Sequence, residues 1–327
     1  MPANLTPQYL EAEKRFRTAK SRDEKIAALE EMLALIPRHK GTEKMQADIK
    51  SRLSKLRTSK DRGGARRKDA FHVPRDGAGQ VIVIGPANSG KSLLVHKLTG
   101  AQTQSAPYPF TTTRPVPGMM PFENIMIQLV DTPVAATGHP PAAVVNMLRN
   151  ADMALLVADA ASNDPVGQTL DVVAAVGKMH VILGSSPPVT VREPAEVWKK
   201  TLLTVNKCDA QEEDLIFELV KEELGARFEC TAVSAQTARG LENLKKEIFL
   251  RLEVVRVYSK EPGRPPDLGA PFVLPRGSTL MDLAELVHKD FAERLTFARV
   301  WGSGKFDGQK VQRDYVLSDR DIVELHL

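Results

Sequence analysis

Apolar positions follow one rhythm in the first part of the chain and another after it. Through residues 8 to 36, Leu10, Ala12 and Phe16, then Ile26, Leu29, Met32, Leu33 and Ile36, recur at helical spacing among charged residues. The pattern predicts a helix that Pro37 ends, with Ser21-Arg22-Asp23-Glu24 as a second turn-in cap. A second helix, 42–57, sets Met45, Ile49, Leu53 and Leu56 on one stripe. The two make an antiparallel helical hairpin over residues 1–58, and Ile49, Leu53 and Leu56 read as its seam rather than as a partner site. From residue 79 short apolar runs take over, at 81–84, 125–130, 154–159, 180–183, 201–205 and 228–233, with helical patterns between them. This alternation predicts an α/β domain over 79–255, a mostly parallel sheet with helices on both faces, closed by a helix starting at Gly240. Functional loops are then expected at the carboxyl ends of the strands. A Pro/Gly-rich stretch, Glu261 to Pro266, reads as part of a linker over 256–269. Over 270–327 the pattern gives a strand at 271–274, a helix at 279–290 and strands at 298–301, 309–311 and 322–325.

Composition adds limits. The chain has 327 residues, room for two or three domains, with ordinary hydrophobic and charged content. It has no run of 18 apolar residues, so no transmembrane helix is expected. The first residues carry no signal-peptide pattern, and the expectation is a cytoplasmic monomer without membrane contact. Cys208 and Cys230 do not make a disulfide framework; each reads as a buried thiol, with oxidation the alternative. The histidines lack metal spacing, and H-E-x-x-H, C-x-x-C and G-x-S-x-G are absent, which argues against zinc, dithiol and serine-hydrolase chemistry. Charge is lopsided: residues 40–75 hold 12 Lys/Arg and 4 Asp/Glu, a net of +8 against +4 for the whole chain. Within that block, 59–78 is a basic linker. It is either a solvated charge run or a contact for RNA phosphates, and without an aromatic cluster it does not suggest base reading.

The chemistry begins at GPANSGKS, Gly85-Pro86-Ala87-Asn88-Ser89-Gly90-Lys91-Ser92, a complete G-x-x-x-x-G-K-[ST] loop. A β-branched run precedes it and a helical pattern follows, the required order. Such a loop wraps backbone N–H groups around phosphate oxygens at a helix N-terminus. Lys91 would reach the β- and γ-phosphates, and the Ser92 hydroxyl would bind Mg²⁺.

Downstream, strand 201–205 runs into Asn206-Lys207-Cys208-Asp209, an N-K-x-D pattern. A carboxylate at Asp209 can accept from both guanine N1–H and the exocyclic amine, a donor pair that adenine lacks. Asn206 would tie the loops together, and the Lys207 stem would lie over the purine face. Ser234-Ala235-Gln236 follows the next strand, and the Ala235 N–H would donate to guanine O6. NKCD alone could equally be a turn or a helix N-cap. After GPANSGKS, in this order, it reads as selection of GTP/GDP. Two segments would sense the γ-phosphate. Phe110, Thr111, Thr112, Thr113 and Arg114 offer hydroxyls for Mg²⁺, though a threonine run by itself is as readily a loop or β-prone segment. Asp131, Thr132, Pro133 and Val134 follow strand 125–130, where Asp131 would hold Mg²⁺ through water.

Taken in order, GPANSGKS, YPFTTTRPVPG, DTPV, NKCD and SAQ resemble the Obg/developmentally regulated GTP-binding protein (DRG) family of translation-linked GTPases. The DRG branch fits further through HKGTEKMQADIKSRLSKLR in the N-terminal hairpin and a C-terminal part similar to the β-grasp TGS module. The resemblance implies GTP hydrolysis, with Lys91 and Thr112 acting on the transferring phosphoryl group and Ser92 and Thr112 on Mg²⁺. It implies K⁺ beside Asn88, and a ribosome or structured RNA docked through residues 40–75 and the TGS module; a merely stabilising module is the alternative.

The chain departs from the family at two places. Val134 stands where the family has glycine, and Val cannot swing through positive φ. Ala135 stands where Ras-type enzymes place a water-orienting Gln, so slow turnover is expected. The branch's inserted domain has only residues 179–200 in its place. Rival readings are a GTP-binding adaptor with little hydrolysis, motivated by Val134, and an RNA-binding protein with a scaffold G domain. An ATPase is least favoured, since NKCD is intact.

Overall fold

The computed structural model describes residues 7–19, 22–36, 43–58, 73–100, 114–133, 140–188, 196–209, 212–304 and 306–326. The chain forms two compact units, Met1–Ala70 and Phe71–Leu327.

The first unit holds three helices, α1 (Pro7–Thr18), α2 (Arg22–Leu35) and α3 (Glu43–Thr58). This corrects the expected two-helix hairpin. Tyr9 and Ala12 of α1 share one buried cluster with Leu29 and Met32 of α2, Ile36 after it, and Ile49 and Leu53 of α3. A straight helix over 8–36 would carry its two halves about 20 Å apart along one axis. The chain instead breaks between α1 and α2, so both apolar faces are buried together.

In the second unit, β1 (Gln80–Ile84), β3 (Ile125–Asp131), β4 (Met153–Asp159), β6 (Val197–Asn206) and β7 (Glu229–Ala232) lie parallel. β5 (Val181–Gly184) pairs with the first residues of β6, and β2 (Val116–Phe122) pairs antiparallel with β3 at the edge. Alternate residues of β1 explain the continuous apolar runs. Ile82 and Ile84 enter one core with α5 (Ala142–Asn150), α6 (Pro165–Gly177) and α7 (Glu212–Leu224). Val81 and Val83 enter the other with α4 (Lys91–Thr99) and α8 (Leu241–Leu252). A strand buried on both faces has no polar alternation to display. β2 was missed in the sequence because Val-Pro-Gly-Met-Met-Pro-Phe reads as a turn. An edge strand tolerates those prolines, and among its residues only Met120 is fully buried.

The C-terminal sheet has the order β11-β10-β12-β8-β9. Its strands are β8 (Val254–Ser259), β9 (Phe272–Pro275), β10 (Phe297–Trp301), β11 (Gln309–Val311) and β12 (Asp321–His326). β8 corrects the linker expected over 256–269. It follows α8 after Glu253 alone and buries Val255 and Val257 in the C-terminal core. The single helix expected at 279–290 is two, α9 (Leu280–Val287), opened by a Thr279–Asp282 capping box, and α10 (Lys289–Arg294), with His288 extended between them. Among the described residues no helix is long and apolar enough to cross a membrane.

The two sheets are joined at the β2–β3 turn. Arg256 of β8, only 2% exposed, hydrogen-bonds Glu123 of that turn and both oxygens of Asp319. Its guanidinium lies 4.8 Å from the Phe249 ring, which in turn stacks on Phe122. Asn124 donates to the Tyr258 hydroxyl (2.6 Å) and the Leu268 carbonyl, and Arg320 pairs with Glu123. Hydrogen bonds from Arg256 and Arg320 hold Glu123 below the usual carboxylate range. Burial pushes Asp319 up, but its bonds to Arg256 outweigh that and leave it low. Removing one partner of a buried cation leaves its charge uncompensated. Asp319→Ala is expected to lower stability by about 1–3 kcal/mol, since Glu123 remains, read as a lower urea midpoint. Both carboxylates have depressed folded values, so this contribution is complete above about pH 4 and is lost as pH falls through those values. The gap between wild type and variant should therefore close in acid. A gap that stays constant down to the acid limit of the folded state would rule out the ion pair as its source.

Candidate functional site

Strand register brings the candidate residues to one level. Val83 of β1 stands beside Asp131 of β3, Asp159 of β4 beside Asn206 of β6, and Val205 beside Ala232 of β7. All are at or next to the carboxyl ends of parallel strands, where loops can converge on one ligand.

The loop Gly85 to Gly90 turns β1 into α4. Gly90 has φ 83° as the α4 N-cap, and a Cβ there would collide with Asn206 Nδ2. Gly85, at φ 154°, could carry a Cβ only by striking the Val157 carbonyl. Asn88 sits at φ 62°, a left-handed conformation that Asn tolerates. Pro86 and Ser89 are buried, Ala87 and Asn88 exposed. Inside the loop the Lys91 ammonium donates to the Pro86 carbonyl (2.5 Å) and Ser89 Oγ (3.4 Å), although the residue is only 6% exposed. Burial pulls its pKa down to about 8, against Asp131 and Asp159, which raise it.

Ser92 Oγ donates to Asp131 Oδ2 at 2.6 Å. Burial raises the Asp131 pKa, opposed by that bond, the Lys91 charge and the Thr132 amide. The other oxygen, Oδ1, is buried without a donor. Thr132 is tied to the Val83 carbonyl (2.6 Å), which fixes the chain leaving β3. A hydroxyl and a carboxylate in contact, with one buried carboxylate oxygen unsatisfied, fit a hard oxygen-seeking cation such as Mg²⁺. Ser92 and Asp131 are the described residues that would hold it. No cluster of three or more His, Cys, Asp or Glu forms a separate metal site among the described residues.

At the other end, Asn206 joins two loops. Its Nδ2 donates to the Ser89 carbonyl (2.9 Å), and its Oδ1 accepts from the Ala235 N–H (3.0 Å). In this structure the Ala235 amide is thus engaged by Asn206, so a base oxygen would share it or take it over. Asp209 is exposed, with Oδ1 held by the Ser234 hydroxyl, and Ser234 in turn accepts from the Thr237 amide (2.9 Å). Gln236 is exposed beside them. Lys207, at φ 69°, pairs its ammonium with Asp159 Oδ2 (2.6 Å), which pins its stem along the loop. Asp159 was missed in the sequence. It also accepts from the Ala161 amide (3.0 Å). Its signal was the one that marked Asp131: a carboxylate ending a buried strand. Arg114 is exposed, and Pro133 is buried after Thr132. Phe110, Thr111, Thr112, Thr113 and Val134 lie outside the described residues, as does 59–72 of the basic segment. Cys208 is buried and Cys230 half-buried, both as free thiols. Burial raises the Cys230 pKa, with Lys221 opposing, so it is held as a thiol.

Comparison with known proteins defines the class. Residues 80–185 match the family described as 50S ribosome-binding GTPase, and residues 255–327 match the TGS domain family. The chain thus carries a P-loop GTPase domain, mostly parallel sheet with helices on both faces, followed by a TGS domain. A GTP-binding protein of Methanocaldococcus jannaschii is 29% identical over 362 aligned residues, covering 93% of this chain and 92% of the relative. Developmentally-regulated GTP-binding protein 1 of Xenopus laevis is 26% identical, covering 92% and 98%. Both alignments are longer than the 327 residues of this chain, so these relatives hold residues that it lacks. The YchF GTPase of Schizosaccharomyces pombe shares the fold, with a TM-score of 0.53 at 11% identity, over 77% of this chain and 99% of that one.

A buried ammonium bonded mainly to one carbonyl is a liability without its ligand. Lys91→Met should raise the stability of the ligand-free protein by about 1–3 kcal/mol at pH 7. The sign follows from linkage. The folded value near 8 lies below the unfolded one near 10.4, so wild-type stability should rise across that interval and the variant's should not. Urea titrations at pH 7, 9 and 10.5 read both effects. A destabilised variant at pH 7 would mean that the lysine packs better than its charge costs.

Proposed function

We propose that this chain is a GTP-hydrolysing switch of the Obg/DRG kind that works with a ribosome or other RNA-rich partner. One observation carries the reading. A buried ammonium bonded only to neutral acceptors (Lys91) and a buried carboxylate with one unsatisfied oxygen (Asp131) lie at the same end of the sheet, and a second carboxylate, exposed (Asp209), stands on a loop tied to the same frame. A nucleoside triphosphate with Mg²⁺ meets all three demands at once. Relatives named as GTP-binding proteins along more than nine-tenths of the chain support the choice of nucleotide.

In this reading Lys91 leaves the Pro86 carbonyl for the phosphate oxygens, and the loop amides with the α4 N-terminus share the remaining charge. Bound Mg²⁺ would neutralise charge on the phosphates beside Ser92 and Asp131, with Thr112 as the second hydroxyl. Asn88 is the residue that would adjoin K⁺. Asp209 accepts from the guanine edge while Lys207, held by Asp159, covers the ring. Val134 and Ala135 supply no side chain able to orient water, so intrinsic turnover is slow. The basic segment 40–75 and the TGS domain supply the docking surfaces.

Three measurements test this. Fluorescent GDP should bind saturably in magnesium buffer. Its affinity should fall above about pH 8, because phosphate needs the charged Lys91 and binding then takes up a proton. Asp209→Asn should weaken GDP about a hundredfold or more and favour xanthosine diphosphate, whose C2 carbonyl oxygen, in place of the guanine amine, can accept from the new amide. Phosphate release over many turnovers, in KCl and NaCl, with and without ribosomes, reads hydrolysis. Absence of saturable GDP binding would sink the proposal, and equal rates in the two salts would remove K⁺.

A further inference from the structure

The TGS sheet has one face that the G domain covers only in part. Its inner face buries Val255, Val257, Ala298, Val300, Val311 and Val323 against α9 and α10. On the outer face, Arg256 and Tyr258 of β8 are taken up by the β2–β3 turn. Beyond them the outer face of β10, β11 and β12 bears Phe297, Arg299, Trp301, Lys310, Ile322, Glu324 and His326, and β-strand alternation requires that they share it.

The charges there are arranged against internal stability. Arg299 stands directly opposite Lys310 on β11 and opposite Glu324 on β12. Glu324 does not neutralise either cation: its side chain is 8% exposed, Lys260 takes Oε2 (2.9 Å) and His326 takes Oε1 (2.8 Å). Arg299 and Lys310 are both exposed and neither makes an ion pair among the described residues. Like charges facing each other across a strand pair disfavour the sheet. An anion from outside would relieve them.

Planar groups alternate with these cations. Lys310 Nζ lies 4.0 Å from the centre of the Phe297 ring, and Phe297 stacks on His326 at 4.4 Å and 11°. Lys260 lies 4.1 Å from the centre of a Trp301 ring. In the turn between β10 and β11, Phe306 is 65% exposed and has no ring partner among the described residues. Cations raised on rings, with a bare aromatic at the rim, match a partner that bears one negative charge per planar ring. A duplex hides its rings in the stack, whereas an unpaired strand presents both parts.

We propose that the open half of the TGS sheet, β10 to β12, is a docking surface for single-stranded RNA, with Arg299 and Lys310 on successive phosphates and Phe306 stacked on a base. This deepens the RNA part of the function proposed above and does not depend on nucleotide hydrolysis.

The test uses the full chain and three fluorescent probes: a mixed-sequence 12-nucleotide RNA, its duplex with the complement, and an oligoglutamate of equal charge. Anisotropy between 50 and 200 mM KCl should show the single strand bound more tightly than either competitor. Arg299→Ala with Lys310→Ala should weaken it tenfold or more and reduce the salt slope by about 1.4, the value for two phosphates on a single strand. Phe306→Ala should weaken the single strand several-fold and leave the duplex unchanged. On the same samples the thermal midpoint should not fall below wild type, because all three side chains are exposed and the double variant relieves the opposed charges, and fluorescent-GDP affinity should match wild type. Wild-type-like RNA binding by the double variant overturns the surface. Duplex or oligoglutamate bound as tightly as the strand overturns the partner. Failure of wild type to bind GDP would sink the GTPase reading and leave this surface standing.

Discussion

Burial of the Lys91 ammonium is the constraint around which the G domain is built. A lysine at a helix N-terminus is ordinarily solvated. Here Gly85 and Gly90 let the backbone fold so closely over it that its main acceptor is the carbonyl of Pro86. The surrounding carboxylates, Asp131 and Asp159, attract the charge from two strand ends without contacting it closely enough to offset desolvation, and the pKa stays low. Two groups at this level are partly unsatisfied: a cation bonded only to neutral acceptors, and a carboxylate with one idle oxygen, its other oxygen taken by the Ser92 hydroxyl. Such strain survives only because the parallel sheet below is buried on both faces and does not yield.

The β2–β3 hairpin links that level of the sheet to the C-terminal sheet. At one end Val116 pairs with Asp131, and at the other Phe122 pairs with Ile125 next to Glu123 and Asn124. The segment entering β2 and the residue beside the candidate metal are therefore covalently continuous with the turn that Arg256 grips. The TGS sheet is held there by a buried guanidinium that lies over the Phe249 ring and by two asparagine bonds, all directional contacts. The candidate metal residue and the grip on the C-terminal sheet thus lie at the two ends of one hairpin.

What could be read from the sequence divides along physical lines. Strands β1, β3 and β4 announced themselves because burial on both faces demands unbroken apolar runs. The phosphate loop was legible because its glycines are required by contacts as close as that between Gly90 and Asn206. β2 was hidden because an edge strand can hold Pro117, Gly118 and Pro121, residues that mark turns elsewhere. β8 was hidden by a proline-rich stretch that starts just after it. The break between α1 and α2 left no proline or glycine behind; its one trace in the sequence is the cap pattern at Ser21-Arg22-Asp23-Glu24, and that two helices result shows in which apolar residues meet. Asp159 was overlooked since no fixed motif spacing points to it, although its position at a strand end carried the information.

Asn206 explains why these separate signals belong to one site. Its amide group is used at both ends, the nitrogen on the Ser89 carbonyl in the phosphate loop and the oxygen on the Ala235 amide in the last loop. Aspartate could not donate to Ser89, leucine could do neither, and glutamine would carry the group one methylene too far. The bond also requires Gly90, since any side chain there would occupy the space of Nδ2. The two most specific features of the sequence, the glycine before Lys91 and the asparagine before Lys207, are thus two halves of one contact. That contact sets the distance between the groups that would hold phosphate and those that would read a base. Any base selection by Asp209 would therefore depend on backbone geometry 119 residues earlier in the chain, and a ligand of the wrong length would meet one end of the frame without the other.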